Sequence, residues 1–309
     1  LPWANAATRR MLEAQSFDLV HAHGLMVMGH VGQRWARKRQ LPLVFTYHTL
    51  IEDYAHYIPL PPALVRRHGV AISRDFANRA DHVIVPAPHV AERLRGYGVT
   101  RPITVIPTGI DLAQIDAVPD ADIRARYGIP AGVPLLVYAG RLAREKNLPH
   151  LLQAVRLVLQ QEPETHLLLI GGGPYDREVQ EMAAVLGMMP RTRFTGFVER
   201  TAVFQGMRAA DLFVFPSRSE TQGLVLTEAM ACGLPVVAVA SPAARDALIP
   251  GDNGLLADND DASFADAILA LLRDPARRAR LAASARRHAE ELSIVRCTAQ
   301  LLAVYRQVR

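Results

Sequence analysis

Short apolar runs alternate along the chain with longer stretches whose apolar residues recur at helical spacing. DLVHAH (18–23), LPLVFTYH (41–48), DHVIVPA (81–87) and ITVIPTG (103–109) each end in polar or Gly/Pro residues. Runs of this length and β-branched content predict strands buried on both faces. The pattern resumes with VPLLVYAG (133–140), THLLLIGGG (165–173), TRFTGF (192–197), DLFVFPS (211–217) and LPVVAV (234–239). Between these runs lie segments such as LPHLLQAVRLVLQQ, where Leu148, Leu151, Leu152 and Val155 fall at i, i+3, i+4 and i+7. Strands buried on both faces and joined by amphipathic helices predict parallel, doubly wound sheets. A chain of 309 residues, half of them apolar, is long enough for two such α/β domains.

The Asp-, Pro- and Gly-rich stretch DLAQIDAVPDADIRARYGIPAGVP (111–134) carries no strand until Leu135, which makes it the expected boundary and a hinge. Residues 1–111 are then a first domain and 112–292 a second. Residues 293–309, after the basic helix PARRARLAASARRHAEEL, are expected to form a helix that returns to the first domain.

Composition removes several function classes. The most nearly apolar run, Ala229 to Ala244, is broken by Gly233, Pro235 and Pro242, and a membrane span needs about 18–20 uninterrupted residues. Cys232 and Cys297 match no zinc-ligand or CxxC spacing and form no disulfide framework, so a reducing compartment is expected. No basic and apolar leader opens the chain, although its first residue is not Met. A cytoplasmic location is expected, at most peripheral on the inner face of the membrane.

The net charge of +5 is unevenly placed. Residues 1–111 hold 13 Lys and Arg against 8 Asp and Glu, and the remainder holds 22 of each. The first third would attract anionic lipid, nucleic acid or a phosphorylated substrate; equally, its arginines could serve solubility alone.

Candidate chemistry concentrates in SETQGLVLTEAMACGLPVV (219–237). A strand ending near Ser217 and a helix starting after Gly223 would leave the amides of Leu224 and Val225 without intrahelical partners, an anion seat strengthened by the helix dipole. Glu220 precedes that helix and Glu228 lies in its second turn, so both could frame one ligand. Carboxylates repel phosphate, which makes sugar and ribose hydroxyls their natural partners. AGRLAREKNL (139–148) places Arg141 and Lys146 in the loop after a strand, where two cations can clamp phosphate. IGGGPYDREV (170–179) places Gly171, Gly172 and Gly173 between a strand end and a helix, which suits backbone approach to a nucleotide.

Taken in order, these segments resemble the retaining glycosyltransferases of family 4. The resemblance runs through AGRL...EKN, IGGGP, RFTGFV, ADLFVFPSRSE, the Glu-x7-Glu element from Glu220 to Glu228, EAMACGLPVVA and the DNGLL turn at 252–256. It implies a GT-B fold, two Rossmann-like domains with a nucleotide-sugar held in the cleft between them. Arg141 and Lys146 would hold the diphosphate and stabilise the leaving nucleotide, Glu220 would contact donor-sugar hydroxyls, and Glu228 the ribose. Gly171, Gly172, Gly173, Phe197, Gly223, Leu224 and Val225 would complete the donor site. Gln222 departs from the pattern, since many members carry an aromatic residue before that glycine. No cofactor and no metal are implied, and Asp120/Asp122 and Asp258/Asp260 are expected to serve linker and turn rather than cation.

In the first domain the resemblance is incomplete. Members begin with a further strand and a glycine-rich loop, whereas Leu1 stands only seventeen positions before Asp18; the expectation is that the family's opening quarter is missing. HAHG places His21 and His23 on one strand face. They could be structural or a metal pair, and the family favours His23 beside the donor sugar. TYHTLIEDYAHYIPLP (46–61) resembles the subset, bacterial in character, that glucosylates diacylglycerol at the membrane surface. His48, Tyr54, His56 and Tyr57 are then acceptor-side residues, although aromatics in such a segment also pack helices on sheets. The expected partners are a nucleotide-sugar, UDP-glucose foremost, and a lipid acceptor at an anionic membrane, with no nucleic acid. Two alternatives are a GT-B nucleotide-sugar epimerase, which needs no acceptor, and a non-catalytic nucleotide-sugar-binding protein that docks on membranes.

Overall fold

Strands form where the apolar runs are densest, and each is shorter than its run because the flanking Pro, Gly and polar residues leave the ladder. The computed structural model describes residues 6–52 and 60–309. The chain divides into two units, Leu1–Thr108 together with Val295–Arg309, and Gly109–Ile294.

In the first unit α1 (Ala6–Glu13) precedes β1 (Val20–Ala22), and α2 (Val27–Arg39), β2 (Leu43–Thr46), α3 (Pro62–Ala77), β3 (His82–Val85), α4 (Pro88–Gly96) and β4 (Ile103–Val105) follow. The strands pair in parallel in the order β1-β2-β3-β4. The twofold alternation of a strand sends Phe45, Val83 and Val85 to one face, against Phe76 of α3 and Leu94 of α4. Val44 and Ile84 go to the other face. There they pack on Cys297 and Val304 of the C-terminal helix Ile294–Val308.

The second unit opens with two short helices, α5 (Leu112–Asp116) and α6 (Ile123–Arg126). It continues β5 (Leu135–Ala139), α7 (Leu148–Gln161), β6 (His166–Ile170), α8 (Asp176–Val185), β7 (Thr192–Phe194) and α9 (Arg200–Arg208), then β8 (Leu212–Phe215), α10 (Leu224–Ala231) and β9 (Val236–Val239). It closes with α11 (Pro242–Ala247), β10 (Gly254–Ala257), α12 (Asp261–Leu272) and α13 (Pro275–Glu291), leaving α14 for Ile294–Val308. Six parallel strands lie in the order β10-β9-β8-β5-β6-β7. Val137, Ile170, Phe213 and Ala238 face α9, α10 and α13, while Leu136, Leu169, Val214 and Val237 face α7 and α12. Helices therefore cover both faces.

Two local readings change. The DNGLL segment does not end as a turn: from Gly254 it is β10, paired in parallel with β9. Its four residues follow so closely on turn residues that no separate apolar run stands out. The stretch 111–134 is packed rather than extended as a linker, because Ile115, Ile123 and Ile129 are buried with Phe213 in one cluster. Its aspartates have local work, Asp111 accepting from the Gln114 amide and Asp122 from the Ala125 amide as helix N-caps. Residues 109–111 join this unit, not the first, because the Ile110 amide donates to Leu292 O and Ile110 O accepts from the Ile294 amide.

Candidate functional site

The order of the second sheet reverses at β5. The chain runs outward through β6 and β7, then returns to place β8 on the other side of β5. Loops leaving the carboxyl ends of two such strands diverge, and the crevice between them is where open parallel sheets hold ligands. The loop after β5 carries Arg141 and Lys146; the loop after β8 carries Glu220 and Gly223.

Three side-chain contacts stitch these loops together. Lys146 Nζ donates to Glu220 Oε1 at 2.5 Å, Ser219 Oγ to Glu145 O at 3.1 Å, and Asn147 Nδ2 to Pro216 O at 3.2 Å. Ser217, fully buried, steadies Glu220 from beneath with a bond of 3.1 Å. Asn147 sits in the left-handed region at φ 57°, which Asn tolerates better than most residues, and there it ends the Arg144–Lys146 turn and starts α7. Arg141 forms an ion pair with Glu145, four residues on in the same loop. The Lys146–Glu220 pair is mostly shielded, at 15% and 20% side-chain exposure. Tyr138 beneath the loop has its phenol pKa raised, first by burial and then by the charges of Glu220 and Glu145.

Gly223 caps α10 with φ 69°, and the helix begins at Leu224. Glu228 lies on its second turn with only 15% of its side chain exposed, and burial raises its pKa; Arg200 of α9, bonded to it at 2.8 Å, acts in the opposite direction.

The glycines after β6 permit a close approach of loop to loop. A Cβ on Gly171 would stand 2.1 Å from Gly140 O, and one on Gly173 would stand 2.3 Å from Leu142 O. The two loops interlock through bonds from Leu142 N to Gly172 O at 3.1 Å and from Gly140 N to Ile170 O at 2.9 Å. Phe197 lies against Gly172, its ring 2.8 Å from where a Cβ would be, and it is 81% exposed. Asp260 caps α12 by accepting from Ser263 N, and Ser263 Oγ accepts from Asp258 N.

The first unit holds a separate cluster at its own strand ends. His21 and His23 share a face with ring centroids 4.0 Å apart, and His23 Nδ1 shares a hydrogen bond of 3.0 Å with His48 Nε2. His21 bonds Tyr305 Oη at 2.5 Å and Thr46 Oγ1 at 2.6 Å. Burial, then the proximity of His23 and His48, brings the His21 pKa down to about 4; burial also lowers those of His23 and His48. Tyr54, His56 and Tyr57 lie outside the described residues. Between α2 and α3 runs a mainly apolar groove of about 1220 Å³. Met26, Leu60, Leu64 and Ile72 line it while 73%, 56%, 44% and 46% exposed, and Arg34, Arg37 and Arg79 border it. Among the described residues, no helix is long and apolar enough to cross a membrane.

The resemblance assigned Arg141, Lys146, Glu220, Gly223 and Glu228 to one donor site, and the structure places the segments that carry them after the carboxyl ends of β5 and β8, but the partners of these residues went unread. Glu145, Ser217 and Asn147 stood inside the motifs as polar residues next to loops. Arg200 carried no local signal, since 28 positions separate it from Glu228.

Comparison with known proteins agrees with this geometry. Residues 119–288 match the family Glycosyl transferases group 1, and residues 1–114 match Glycosyltransferase Family 4. The chain belongs to these glycosyltransferases, and its two parallel-sheet units have the GT-B fold. An alpha-monoglucosyldiacylglycerol synthase of Streptococcus pneumoniae is 34% identical over 73% of this chain, a match spanning 52% of that protein's length. A D-inositol 3-phosphate glycosyltransferase of Xylanimonas cellulosilytica is also 34% identical, over 94% of this chain and 72% of the relative. Among solved structures, a sucrose-phosphate synthase from Thermosynechococcus elongatus is 29% identical with a TM-score of 0.83, covering 97% of this chain and 76% of that one. Anabaena HepE in complex with UDP and glucose has the same TM-score at 24% identity, covering 99% and 82%, a likeness of fold.

Proposed function

We propose that the chain catalyses transfer of a hexose, with retention and without a metal, from a nucleoside diphosphate sugar to a membrane-lipid acceptor of the diacylglycerol type, UDP-glucose being the favoured donor. The observation that carries this reading is the pair of loops at the β5/β8 switch point. Departure of a nucleoside diphosphate places negative charge on the leaving oxygens while the anomeric carbon becomes oxocarbenium-like. Arg141, Lys146 and the first amides of α10 are fixed positive groups able to meet that charge, which is the task a divalent ion performs elsewhere. Each cation is held by a glutamate, so an entering diphosphate exchanges one anionic partner for another. Glu220, released from Lys146, is then available to sugar hydroxyls. Glu228 suits the ribose, and the exposed Phe197 ring offers an apolar face to the base.

For the acceptor, two features support lipid: the basic, apolar groove between α2 and α3, and the glucosylated diacylglycerol that the name of the pneumococcal relative gives as its product. Aliphatic chains suit the groove walls and anionic headgroups its arginines. An epimerase would need no such surface. The test is transfer of labelled hexose from UDP-, GDP- and ADP-sugars to diacylglycerol in anionic vesicles, with EDTA present. Product only in the vesicle lipid, from one nucleotide, undiminished by EDTA, is expected. Transfer to a soluble inositol phosphate with no vesicles present would replace the acceptor, and activity restored by magnesium alone would end the metal-free mechanism.

A further inference from the structure

Arg200 opens α9 and belongs to no motif of the donor site. Its Nη2 donates to Glu228 Oε1 at 2.8 Å, and its guanidinium carbon lies 5.3 Å from the centroid of the Phe204 ring. Phe204, one helical turn further on, is 1% exposed and packed in the core, so the ring is a fixed platform under the guanidinium. We infer that Arg200 is a positioning residue of the donor site, which holds Glu228 in the carboxylate form and in a single orientation for the two hydroxyls of the nucleotide ribose. This rests on the placing of Glu228 at the ribose.

The physical need is clear from the site. A vicinal diol presents two O–H donors, and a carboxylate offers about four acceptor positions, of which Arg200 takes one. Protonation would convert one oxygen to a donor and weaken the diol contact. Burial drives Glu228 toward protonation, and Arg200 opposes it. Other charges near α10 act elsewhere. The strands β8 and β9 packed against α10 are apolar throughout. Arg208 of α9 and Arg286 of α13, the latter paired with Asp116, act on Cys232 at the far end of the helix. The short helix α11, also packed on α10, carries Arg245 and Asp246.

The inference is tested by calorimetric titration of Arg200→Ala, Arg200→Gln, Arg200→Lys and Glu228→Gln with UDP and with 2′,3′-dideoxy-UDP, from about pH 5 to about pH 8. Loss of the charged bond should weaken UDP about tenfold near neutral pH in Arg200→Ala. The dideoxy analogue should bind that variant as it binds the unaltered protein. The acid-side loss of UDP affinity should move to higher pH, because Glu228 then protonates earlier. Arg200→Gln, which keeps the side-chain stem over Phe204, should behave like Arg200→Ala, and Arg200→Lys should restore the pH profile. Equal weakening of both nucleotides, or an unmoved profile in the Gln variant, overturns the inference. If Glu228→Gln weakens UDP while the Arg200 variants do not, the inference fails and the ribose assignment stands. If Glu228→Gln leaves UDP unchanged, both fall.

Discussion

Both units place ionisable residues at the carboxyl ends of parallel strands, yet they treat charge in opposite ways. In the second unit each of three acids of the candidate site holds a cation: Glu145 with Arg141, Glu220 with Lys146, Glu228 with Arg200. In the first unit the strand-end residues are histidines, stacked on one another and bonded to Thr46 and Tyr305, with their proton affinity lowered. Opposite charges in contact favour one another's ionised form. Neutral, mutually bonded imidazoles supply hydrogen-bonding groups whose charging is pushed below the ordinary histidine range, for His21 to about 4. The chain thus carries paired charges on one sheet and a histidine cluster of lowered proton affinity on the other.

The sharpest way to break this contrast is at the clamp. Arg141→Ala with Lys146→Ala should weaken nucleoside diphosphate binding by about 3 kcal/mol or more, since two charge-assisted contacts are removed. Calorimetry should show this with the thermal midpoint little changed. Unaltered UDP affinity in the folded double variant would remove the phosphate role.

The two acids should then separate. Glu228→Gln should weaken UDP and UDP-sugar alike by roughly 1–3 kcal/mol. Glu220→Gln should lower kcat while free UDP binds nearly as before, because its contact develops at the sugar during bond cleavage. Equal weakening of UDP by both, with kcat intact, would dissolve the distinction between sugar and ribose.

The smallest effect is expected in the first unit, on acidification. His21 has a folded pKa of about 4 against 6.5 for the free side chain. Between those values the unfolded chain binds more protons than the folded one, so stability rises with pH. It is fully present above about 6.5 and falls as pH drops toward 4, by on the order of 1–2 kcal/mol after allowance for partial solvent access. Trp35 is buried in this unit, and residues 109–294 contain no tryptophan. Tryptophan fluorescence in denaturant therefore reads it selectively. His21→Asn should flatten the pH dependence, and an unchanged slope in that variant would show that the cluster does not govern acid stability.

Much of the candidate site was legible in the chain because its residues fall in short local segments. Arg141 and Lys146 follow one strand within seven residues, and Glu220, Gly223 and Glu228 surround one helix start, so each group could be read in its own segment; it was the family resemblance that joined the two groups. Nine of the ten strands among the described residues followed from apolar runs; β10 did not, because Gly254–Ala257 follows directly on the turn at 251–253 and no separate apolar run stands out. The partners were not legible. Lys146 and Glu220 are 74 positions apart, His21 and Tyr305 are 284, and nothing in either neighbourhood names the other.

The sequence by itself determined which segments are strands and helices, that both sheets are parallel, and that charge and glycine gather at strand ends. Backbone dihedral preference and the burial of apolar periodicity act over a few residues, and they can be read there. Only the tertiary structure decided that β8 returns beside β5, so that two loops meet as one site. It also decided that the glycines after β6 allow loops to interlock, that Glu228 is buried and answered by Arg200, and that the last helix brings Tyr305 to His21. Each depends on which elements pack against which, and packing is settled by the shape and volume of the whole core, a quantity no local window contains.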